Sequence, residues 1–455
     1  MIHCFSLEGV KLVYDAHSQA LHQVDDLAWA VLKGEDFAAL GQPPAAEELA
    51  EVKGEIASLQ ERGLLFCPDP YGGYEPPAPA VKALCLNVAH ACNLACRYCF
   101  AGKGQYGEGP ALMPLHTARR AVEFLLANAG SRQRLEIDFF GGEPLLNWDV
   151  VKETVFYARR RGAEAGKTIT FTLTTNALLL DEGVTGFCLQ HGVNVVLSLD
   201  GRREVHDRLR LTPGGQGSYD LVVRNVRRFV RSWTAHPEPK GYYFIRGTFT
   251  RHNPDFADDF LHLVDLGFDR ISIEPVVAAP GEPHALTGDD LPRLEAEYER
   301  LARAYLGLRR EGRMVRFFHF ELDLDRGPCL AKRLTGCAAG TDYLAVAPGG
   351  GIYPCHQFVG RPDFLLGSVE TGVANRPVVE MFRHAHVYAK ARCRACWAKF
   401  LCSGGCHAAA FLQNGSILEP YDVGCRLMHK RLECALFIKA RELERRCQRE
   451  ISGDS

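Results

Sequence analysis

The 455-residue sequence lacks several features that would place it in a special class. No apolar run approaches the roughly 20 residues that a helix needs to cross a bilayer. Residues 1–8 lack a basic segment followed by an apolar one, the pattern of a secretory signal. With 47% hydrophobic and 24% charged residues, the composition excludes a disordered or collagen-like chain. We therefore expect a large globular core with appendages, located in the cytoplasm and without a membrane partner.

An excess of charge of one sign is lacking as well. The 53 lysine and arginine residues nearly balance the 55 aspartate and glutamate residues, which leaves a formal net charge of -2. Such a chain has no bulk field to draw it to a polyanion or to an anionic membrane. Nucleic acid is therefore not an expected partner.

Cysteine, in contrast, is abundant, with 17 residues. A core-rich chain of this length does not need disulfides for stability, so metal ligation explains the number better. One cluster is Cys92, Cys96 and Cys99, and a second is Cys329, Cys337, Cys355, Cys393, Cys396, Cys402, Cys406 and Cys425. The remaining six are scattered and are interpreted as small hydrophobic residues: Cys4, Cys67, Cys85, Cys188, Cys434 and Cys447.

The pattern along the chain predicts an α/β protein in four parts. Residues 1–68 have three short β-type runs, then helical patterns and an apolar run at 63–66, which is typical of a winged helix. Residues 69–80 combine prolines with paired glycines and predict a linker. Residues 81–318 alternate between strands and helices. Residues 319–455 have short apolar runs interrupted by glycine and cysteine, with a final helix from 428 to about 446. Because so little regular apolar pattern is present, this part needs metal ions or clusters as cross-links.

Six apolar strands are expected in the third part, at 83–88, 135–139, 168–174, 193–199, 242–249 and 270–276. Strands that alternate with helices favour right-handed βαβ units and a parallel sheet, open or curled into part of a barrel. Such folds place their chemistry at the carboxyl ends of the strands.

The first cysteine cluster follows the first of these strands directly. A structural metal site usually takes four protein ligands, whereas three cysteines leave one iron of a four-iron cluster open. A zinc site completed by a distant ligand such as His90 fits the bare spacing equally well. The second strand ends in Gly141-Gly142-Glu143-Pro144. The two glycines permit close backbone approach to a ligand, and the glutamate can accept from a cationic amino group.

With these two motifs in adjacent strand ends, the sequence resembles the radical S-adenosylmethionine (SAM) enzymes. The resemblance implies a partial (β/α)6 TIM-like barrel and a [4Fe-4S] cluster on Cys92, Cys96 and Cys99. It also implies reductive cleavage of SAM to methionine and a 5′-deoxyadenosyl radical. The implied SAM contacts are Gly141, Gly142, Glu143, Pro144, Thr175, Asn176, Ser198, Asp200 and Arg210. A surface ion pair is the alternative role for Arg210, although its fork geometry suits a carboxylate.

The C-terminal cysteines resemble the SPASM domain, which holds two auxiliary [4Fe-4S] clusters. That resemblance implies a distal cluster on Cys393, Cys396, Cys402 and Cys425, and a proximal cluster on Cys337, Cys355 and Cys406. Cys329 either completes the proximal cluster or leaves that position open for a substrate thiolate. A pair of structural zinc ions is the alternative. No side chain is assigned as a general base: His356, Asp342 and Tyr353 lie near the cluster loops in sequence, where each can equally orient or pack.

Across nearly the whole chain, the sequence resembles the SCIFF maturases, which process six-cysteine peptides. The passages that carry this resemblance are 139–144, 246–253, 336–340, 353–360 and 396–400. The resemblance implies a thioether between a Cys sulfur and a Thr α-carbon of a ribosomally synthesised, Cys-rich precursor peptide. It further implies that residues 1–68 bind the leader of that peptide as an added strand, although such a module can also only brace the barrel. An electron donor such as flavodoxin or ferredoxin is implied too.

Two other functions stay open at this point. A related enzyme class, the anaerobic sulfatase maturases, shares the barrel and cluster motifs and oxidises a Cys or Ser to formylglycine, but lacks the leader-binding module. A chain of another kind, a metal-stapled peptide-binding scaffold without turnover, is also compatible with the cysteines. Iron content separates the scaffold from the enzymes.

Overall fold

The computed structural model describes residues 1–40, 42–324 and 329–452. The strands in these ranges are β1 (Ile2–Leu7), β2 (Val10–Asp15), β3 (Leu21–Val24), β4 (Ala83–His90), β5 (Ala111–Leu112), β6 (Arg134–Gly141), β7 (Thr168–Thr175), β8 (Val193–Ser198), β9 (Tyr243–Phe249), β10 (Arg270–Pro275), β11 (Arg316–Phe317), β12 (Tyr343–Val346), β13 (Gly351–Tyr353), β14 (Gly367–Ser368) and β15 (Gly372–Val373). The helices are α1 (Asp26–Lys33), α2 (Ala46–Glu61), α3 (Leu115–Asn128), α4 (Trp148–Glu164), α5 (Glu182–Gln190), α6 (Arg203–Leu209), α7 (Tyr219–Ala235), α8 (Phe256–Asp265), α9 (Leu291–Arg310), α10 (Leu330–Thr335), α11 (Arg376–Arg383), α12 (Ala391–Arg394), α13 (Lys399–Cys402), α14 (His407–Asn414) and α15 (Asp422–Ser452). Positions 325–328 and 453–455 of the predicted C-terminal part lie outside the described residues, and so does the side chain of Cys447.

The N-terminal residues form an antiparallel sheet in the order β1-β2-β3, followed by α1 and α2. Helix α1 begins after Asp25, whose carboxylate accepts a hydrogen bond from the Ala28 N–H at 2.8 Å. These residues thus contain three short strands followed by helices. The apolar run at 63–66 forms turns and bends. Leu65 in this run is buried, so its apolar character serves packing.

The large sheet places the six predicted strands side by side in parallel, in the order β10-β9-β8-β7-β6-β4. Their bounds agree with the predicted ones within a few residues. Alternate residues are fully buried under the helices, for example Ile137, Phe171 and Val195. The intervening residues, such as Thr172, Ser198 and Arg246, are less buried. We call the side that carries the intervening residues the cavity face of the sheet.

The C-terminal part continues this sheet, which the sequence did not predict. Strand β12 pairs in parallel with β4, so that Leu344 lies opposite Leu84, and β13 to β15 follow in antiparallel order. At the other edge β11 pairs with β10. Helix α15 starts at Asp422 and ends at Ser452, beyond both predicted ends, and packs against α9. The region of the cysteines is therefore anchored to the edge of the central sheet.

The N-terminal module packs against the C-terminal part as well. The His3 ring stacks on the Trp397 ring with centroids 3.9 Å apart, and His3 Nε2 lies 3.0 Å from Glu433 Oε1. In the predicted linker, Asp69 accepts hydrogen bonds from Lys399 Nζ and Tyr388 Oη, both at 2.6 Å. These contacts fix the first strands beside the cysteine-rich residues.

Within residues 1–40, 42–324 and 329–452, no helix combines the length and the apolar character needed to cross a membrane.

The core of the sheet predicts a clear contrast between two phenylalanines. We expect Phe171→Ala to lower the free energy of unfolding by about 3–5 kcal/mol, because Phe171 is 1% exposed and its removal leaves a cavity. Phe156 on α4 is 48% exposed, so we expect Phe156→Ala to change stability by no more than about 0.5 kcal/mol. Thermal unfolding of the anaerobically purified variants measures both effects. Equal losses would contradict this assignment of the core.

Candidate functional site

The loop between β4 and β5 carries Cys92, Cys96 and Cys99, all partly buried. It is held by the segment that follows α6: the Ala95 N–H donates to the Leu211 carbonyl at 2.7 Å. The Arg97 N–H donates to the Leu209 carbonyl at 2.8 Å. These bonds fix the three cysteines at the carboxyl end of the sheet.

Gly141 and Gly142 lie directly against this loop. The Gly142 N–H donates to the Ala89 carbonyl at 2.8 Å, and the Glu143 N–H donates to the Ala91 carbonyl at 2.9 Å. A Cβ on Gly141 would lie 2.3 Å from the Ala89 oxygen, and one on Gly142 would lie 2.2 Å from the Ala91 oxygen. Only glycine fits at either position, so the two strand ends are locked together through their backbones.

The Glu143 carboxylate is fully buried and is surrounded by donors from the protein. Oε1 accepts from the Leu145 N–H at 3.0 Å and from the Thr175 hydroxyl at 2.7 Å, and Oε2 accepts from the Asn176 N–H at 2.7 Å. Burial raises the pKa of Glu143 to about 7, against the effect of these donors. The carboxylate thus connects β6 to the end of β7, and its direct contact with the SAM amino group stays a prediction. Pro144, also buried, begins the short 3-10 helix Pro144–Asn147.

The Asn176 side chain reaches the cysteine loop. Its Nδ2 donates to Asn93 Oδ1 at 2.7 Å and lies 3.7 Å from Cys92 Sγ. Sequence reasoning missed Asn93, because the residue directly after the first cysteine is not part of the spacing pattern.

Arg210 and Asp200 are joined through Tyr98. Arg210 donates to the Tyr98 oxygen at 2.8 Å, and the Tyr98 hydroxyl donates to Asp200 Oδ2 at 2.7 Å. The Thr248 N–H donates to Asp200 Oδ1 at 3.1 Å. The Nε of Arg210 is buried without a hydrogen-bond partner among the described residues. Tyr98 was not predicted; its place between two cysteines of the motif was the only signal in the sequence.

A cavity of about 140 Å³ opens among these groups. The predicted site residues that line it are Cys92, Cys96, Cys99, Gly141, Gly142, Thr175, Asn176, Ser198 and Arg210. Glu143, Pro144 and Asp200 do not line it; they hold the residues that do. We call this space the SAM cavity.

The donor set of the SAM cavity fits the groups that the sequence implies. Burial raises the pKa of Cys92 to about 12 and that of Cys96 to about 11, so the thiolates need a positive charge beside them. An iron–sulfur cluster supplies that charge and binds thiolates. The free Nε of Arg210 suits the carboxylate of a ligand beside the cluster. Among the described residues, no three His, Cys, Asp or Glu side chains converge on a single metal ion.

A larger cavity of about 420 Å³ adjoins the SAM cavity and shares four lining residues with it, Tyr98, Cys99, Phe100 and Ala101. Its other walls come from residues after β10, from the residues around Gln357 and Arg361, and from Leu412. The SAM cavity therefore opens toward the cysteine-rich part of the chain.

The predicted distal cysteines surround one cavity. Cys393, Cys396, Cys402 and Cys425 all line a space of about 280 Å³, together with Trp397 and His429. His429 Nε2 lies 3.1 Å from Cys396 Sγ. Burial raises the pKa of Cys393 to about 12 and that of Cys425 to about 11, so this set also needs a compensating positive charge.

The predicted proximal cysteines come together around the loop after β13. Burial, and then the neighbouring Cys337 and Cys406 sulfurs, hold the pKa of Cys355 well above its usual value. Cys329 is exposed and lies next to residues 325–328, which are outside the described part of the chain. No described contact joins the Cys329 sulfur to the other three.

His356 connects the proximal cysteines with the SAM cavity. Its ring centroid lies 5.5 Å from that of Phe100 and 4.9 Å from that of Phe140, and both phenylalanines line the SAM cavity. Burial, and then the charge of Arg246, lowers the pKa of His356 to about 4, so the ring is neutral. The Cys355 loop is thus separated from the SAM cavity by a single layer of aromatic rings.

The remaining candidates have structural contacts. Asp342 pairs with Arg132, and the Tyr353 hydroxyl donates to Glu108 at 2.9 Å. His90 Nδ1 lies 3.4 Å from Glu108 Oε2, and burial lowers the pKa of His90 to about 4. Of the scattered cysteines, Cys85, Cys188 and Cys434 are buried, and Cys4 and Cys67 are partly buried.

Comparison with known proteins agrees with this geometry. Residues 86–235 match the sequence profile of the Radical SAM superfamily. Mycofactocin maturase MftC of Mycobacterium ulcerans is 27% identical over 364 residues, which cover 77% of this chain and 89% of MftC. The serine-type anaerobic sulfatase-maturating enzyme of Klebsiella aerogenes is 24% identical over 376 residues, which cover 78% of this chain and 85% of that enzyme.

Among solved structures, the crystal structure of Streptococcus suis SuiB bound to precursor peptide SuiA has a similar fold. The alignment has a TM-score of 0.52 with 17% identity, and it covers 91% of this chain and 96% of SuiB. The sequence match and the large parallel sheet together show that residues 86–235 belong to a radical SAM domain, which implies a [4Fe-4S] cluster and SAM as cofactors.

Proposed function

We propose that this chain is a SAM-dependent maturase of a ribosomally synthesised, Cys-rich peptide, and that it forms a thioether between a Cys sulfur and a Thr α-carbon of that peptide. The observation that carries the proposal is the packing of His356 on Phe100 and Phe140. It brings a set of cysteines beside the cavity where a carbon radical would form. A thiolate held there is within reach of that carbon.

The relatives support a peptide or protein as substrate. MftC is named a mycofactocin maturase, the Klebsiella aerogenes relative is named a sulfatase-maturating enzyme, and SuiB is described with a bound precursor peptide. Two of these descriptions name a polypeptide, a sulfatase and a precursor peptide. The adjoining cavity of about 420 Å³ offers room for a peptide segment next to the SAM cavity.

We assign three [4Fe-4S] clusters to the chain. Cys92, Cys96 and Cys99 hold the first. The distal auxiliary cluster takes Cys393, Cys396, Cys402 and Cys425, which line one cavity. The proximal auxiliary cluster takes Cys337, Cys355 and Cys406, and its fourth position is held by Cys329 or by the substrate thiolate.

The residues of the SAM cavity bind and orient the cofactor. Gly141 and Gly142 line the side of the cavity where the SAM amino group would lie, and Arg210 presents its free Nε to the SAM carboxylate. Asn176 and Ser198 line the side where the ribose would lie. When bound, the reduced cluster and SAM supply a 5′-deoxyadenosyl radical that removes a hydrogen atom from an unactivated carbon.

The net reaction balances as the loss of two hydrogens from the peptide. The hydrogen atom of the Thr α-carbon goes to deoxyadenosine, the thiol proton goes to solvent, and a carbon–sulfur bond forms. One electron is left over; auxiliary clusters held by the C-terminal cysteines would carry it to the oxidised form of flavodoxin or ferredoxin, whose reduced form is the proposed electron donor for SAM cleavage. A thiolate bound to iron needs no separate general base.

Residues 1–68 are proposed to bind the leader of the peptide in the cytoplasm. In the described residues β3 pairs with β2 on one side, so its other edge is open to an added strand. The module is fixed through His3 and Trp397 beside the distal cysteines. A docked leader would thus place the rest of the peptide near the cysteine-rich part of the chain.

A second candidate is the oxidation of a Cys or Ser to formylglycine, favoured by the similarity to the sulfatase-maturating enzyme of Klebsiella aerogenes. The open edge of β3 favours the peptide maturase. The third candidate is a peptide-binding scaffold without turnover, which would hold zinc in place of iron–sulfur clusters.

The cysteine sets predict the iron content. We expect about twelve irons per chain, and a loss of about four when Cys92, Cys96 and Cys99 are all replaced by Ala, since one cluster loses its ligands. Deoxyadenosine formation should disappear in that variant. Cys188→Ala is the matched control, because Cys188 is buried outside the three sets and should leave the iron unchanged. Iron analysis after anaerobic reconstitution measures this. A colourless protein that contains zinc would support the scaffold instead.

The position of Glu143 predicts a loss of SAM affinity. An amide in Glu143→Gln cannot accept from all three donors, so the Gly141–Glu143 backbone loses its support. We expect SAM binding to weaken about tenfold, or about 1.4 kcal/mol. Equilibrium dialysis with the cluster-loaded protein checks this. Glu136→Gln on the same strand is the control, since Glu136 is 44% exposed and pairs with Lys82; an equal effect in both variants would contradict the role of Glu143.

The function itself is tested by anaerobic incubation of the reconstituted protein with SAM, a reductant and a Cys-rich peptide encoded next to the gene. We expect each event to remove two hydrogens and to consume a thiol, with a product that resists reduction. Peptide mass and free thiols are measured together. Deoxyadenosine without this mass change would exclude the proposed reaction, and an iron-loaded protein that forms no deoxyadenosine would exclude the enzyme.

A further inference from the structure

Arg246 lies on the cavity face of the sheet, next to the SAM cavity. It is opposite Ser198 on β8 and opposite Ser272 on β10, so the three side chains stand in one row across neighbouring strands. Ser198 lines the SAM cavity. Since adjacent strands are about 4.8 Å apart, the Arg246 side chain starts one strand away from that cavity.

The Arg246 guanidinium is available to a ligand. Its neighbours in β9, Ile245 and Gly247, are buried, whereas Arg246 is exposed in the middle of the strand. Among the described residues no hydrogen bond and no ion pair within 4 Å engages its side chain. A guanidinium is always charged and offers five N–H donors, so an arginine in this position has unused binding capacity.

Glu274, a carboxylate on the same part of the face, already has cationic partners. Glu274 lies two residues beyond Ser272, and its Oε1 is 3.3 Å from His319 Nε2 while its Oε2 is 3.7 Å from Arg431. Burial raises the pKa of Glu274, but the charges of His319, Arg246 and Arg431 outweigh it and hold the pKa below its usual range. A second anion beside this carboxylate would be repelled. A neutral acceptor is the partner that suits Arg246.

The loop of the proximal cysteines meets the same space, because His356 packs on Phe140, which lines the SAM cavity. Arg246 stands between two features of the cavity face: the SAM cavity at Ser198 and the polar group around Glu274. A peptide segment that presents a carbon to SAM would lie along this face.

We propose that Arg246 binds the peptide substrate and donates hydrogen bonds to its main-chain carbonyl oxygens beside the residue that reacts. The inference rests on the proposed function in that the substrate is a peptide. Beyond that function, the inference identifies Arg246 as the residue that determines how deeply the peptide enters the site. Every peptide carries such carbonyls, so Arg246 positions the segment without selecting its sequence.

The test compares Arg246→Gln and Arg246→Lys with the unchanged protein, all cluster-loaded and kept anaerobic. The probe is a fluorescein-labelled Cys-rich peptide encoded next to the gene, synthesised with and without its leader. Arg231→Gln is the matched control, because Arg231 is an exposed arginine of α7. Fluorescence anisotropy gives peptide affinity, and the ratio of deoxyadenosine to modified peptide gives coupling.

We expect Arg246→Gln to weaken binding of the leaderless peptide about fivefold and to raise the ratio of deoxyadenosine to modified peptide, with SAM affinity and iron content unchanged. A lysine ammonium and a glutamine amide both donate to a carbonyl, so Arg246→Lys should retain at least as much affinity as Arg246→Gln. A complete loss of affinity in Arg246→Lys would overturn the carbonyl assignment. Unchanged affinity in both variants, loss of iron, or no binding of the leaderless peptide to the unchanged protein would overturn the proposal.

A failure of the proposed function would give a result different from a failure of the Arg246 proposal. If the leaderless peptide binds in an Arg246-dependent way but the full-length peptide forms no thioether, the proposed reaction is wrong while the role of Arg246 stands.

Discussion

The close backbone contact of Gly141 and Gly142 with residues 89–92 is the constraint on which the site depends. Two hydrogen bonds and the absence of side chains bring the ends of β4 and β6 within van der Waals distance. The cysteine loop starts at this contact, so the contact determines where the cysteine sulfurs lie. The buried carboxylate of Glu143 extends the same arrangement to Asn176, and Asn176 reaches back to Asn93 in the loop. A rigid ring of backbone and polar groups thus surrounds the cavity.

The cost of burying charged groups is the second constraint on the site. The cysteine thiols are held in places where burial opposes their ionisation, and the SAM cavity contains one buried arginine with a free nitrogen. Such a set is costly to charge without a cation and favourable with one. The same logic holds for the distal cysteines, which surround their own cavity. We therefore expect folding and cofactor binding to be coupled in this chain.

The sequence predicted those parts of the fold that depend on local pattern. The six strands at 83–276 are apolar runs separated by helical patterns, and β6, β7 and β9 also alternate between buried and less buried residues, so they were readable. The glycine and cysteine motifs lie at strand ends, where parallel sheets collect side chains. The addition of β12 to β4 was not predicted, because four residues carry too little pattern and the pairing joins positions about 260 residues apart. Tyr98 and Arg246 were missed for another reason. Tyr98 lies beside Arg97 in the cysteine loop and Arg246 lies in an apolar strand, and sequence alone cannot tell a side chain that faces an internal cavity from one that faces solvent.

The pairing of β12 with β4 also affects folding during synthesis, because β12 is made long after β4. When residues 1–318 have left the ribosome, β4 has β6 on one side, and on the other side only its last residues are paired, with β5. The edge at residues 83–86 is covered only after residues 343–346 are made. Strand β1 gains its contacts with the C-terminal part later still, because His3 packs on Trp397 and lies beside Glu433. An open parallel edge is a template for wrong pairing between chains. Nascent chains that stall or are truncated before the cysteine-rich part should therefore aggregate, so that the C-terminal residues protect the edge of the sheet.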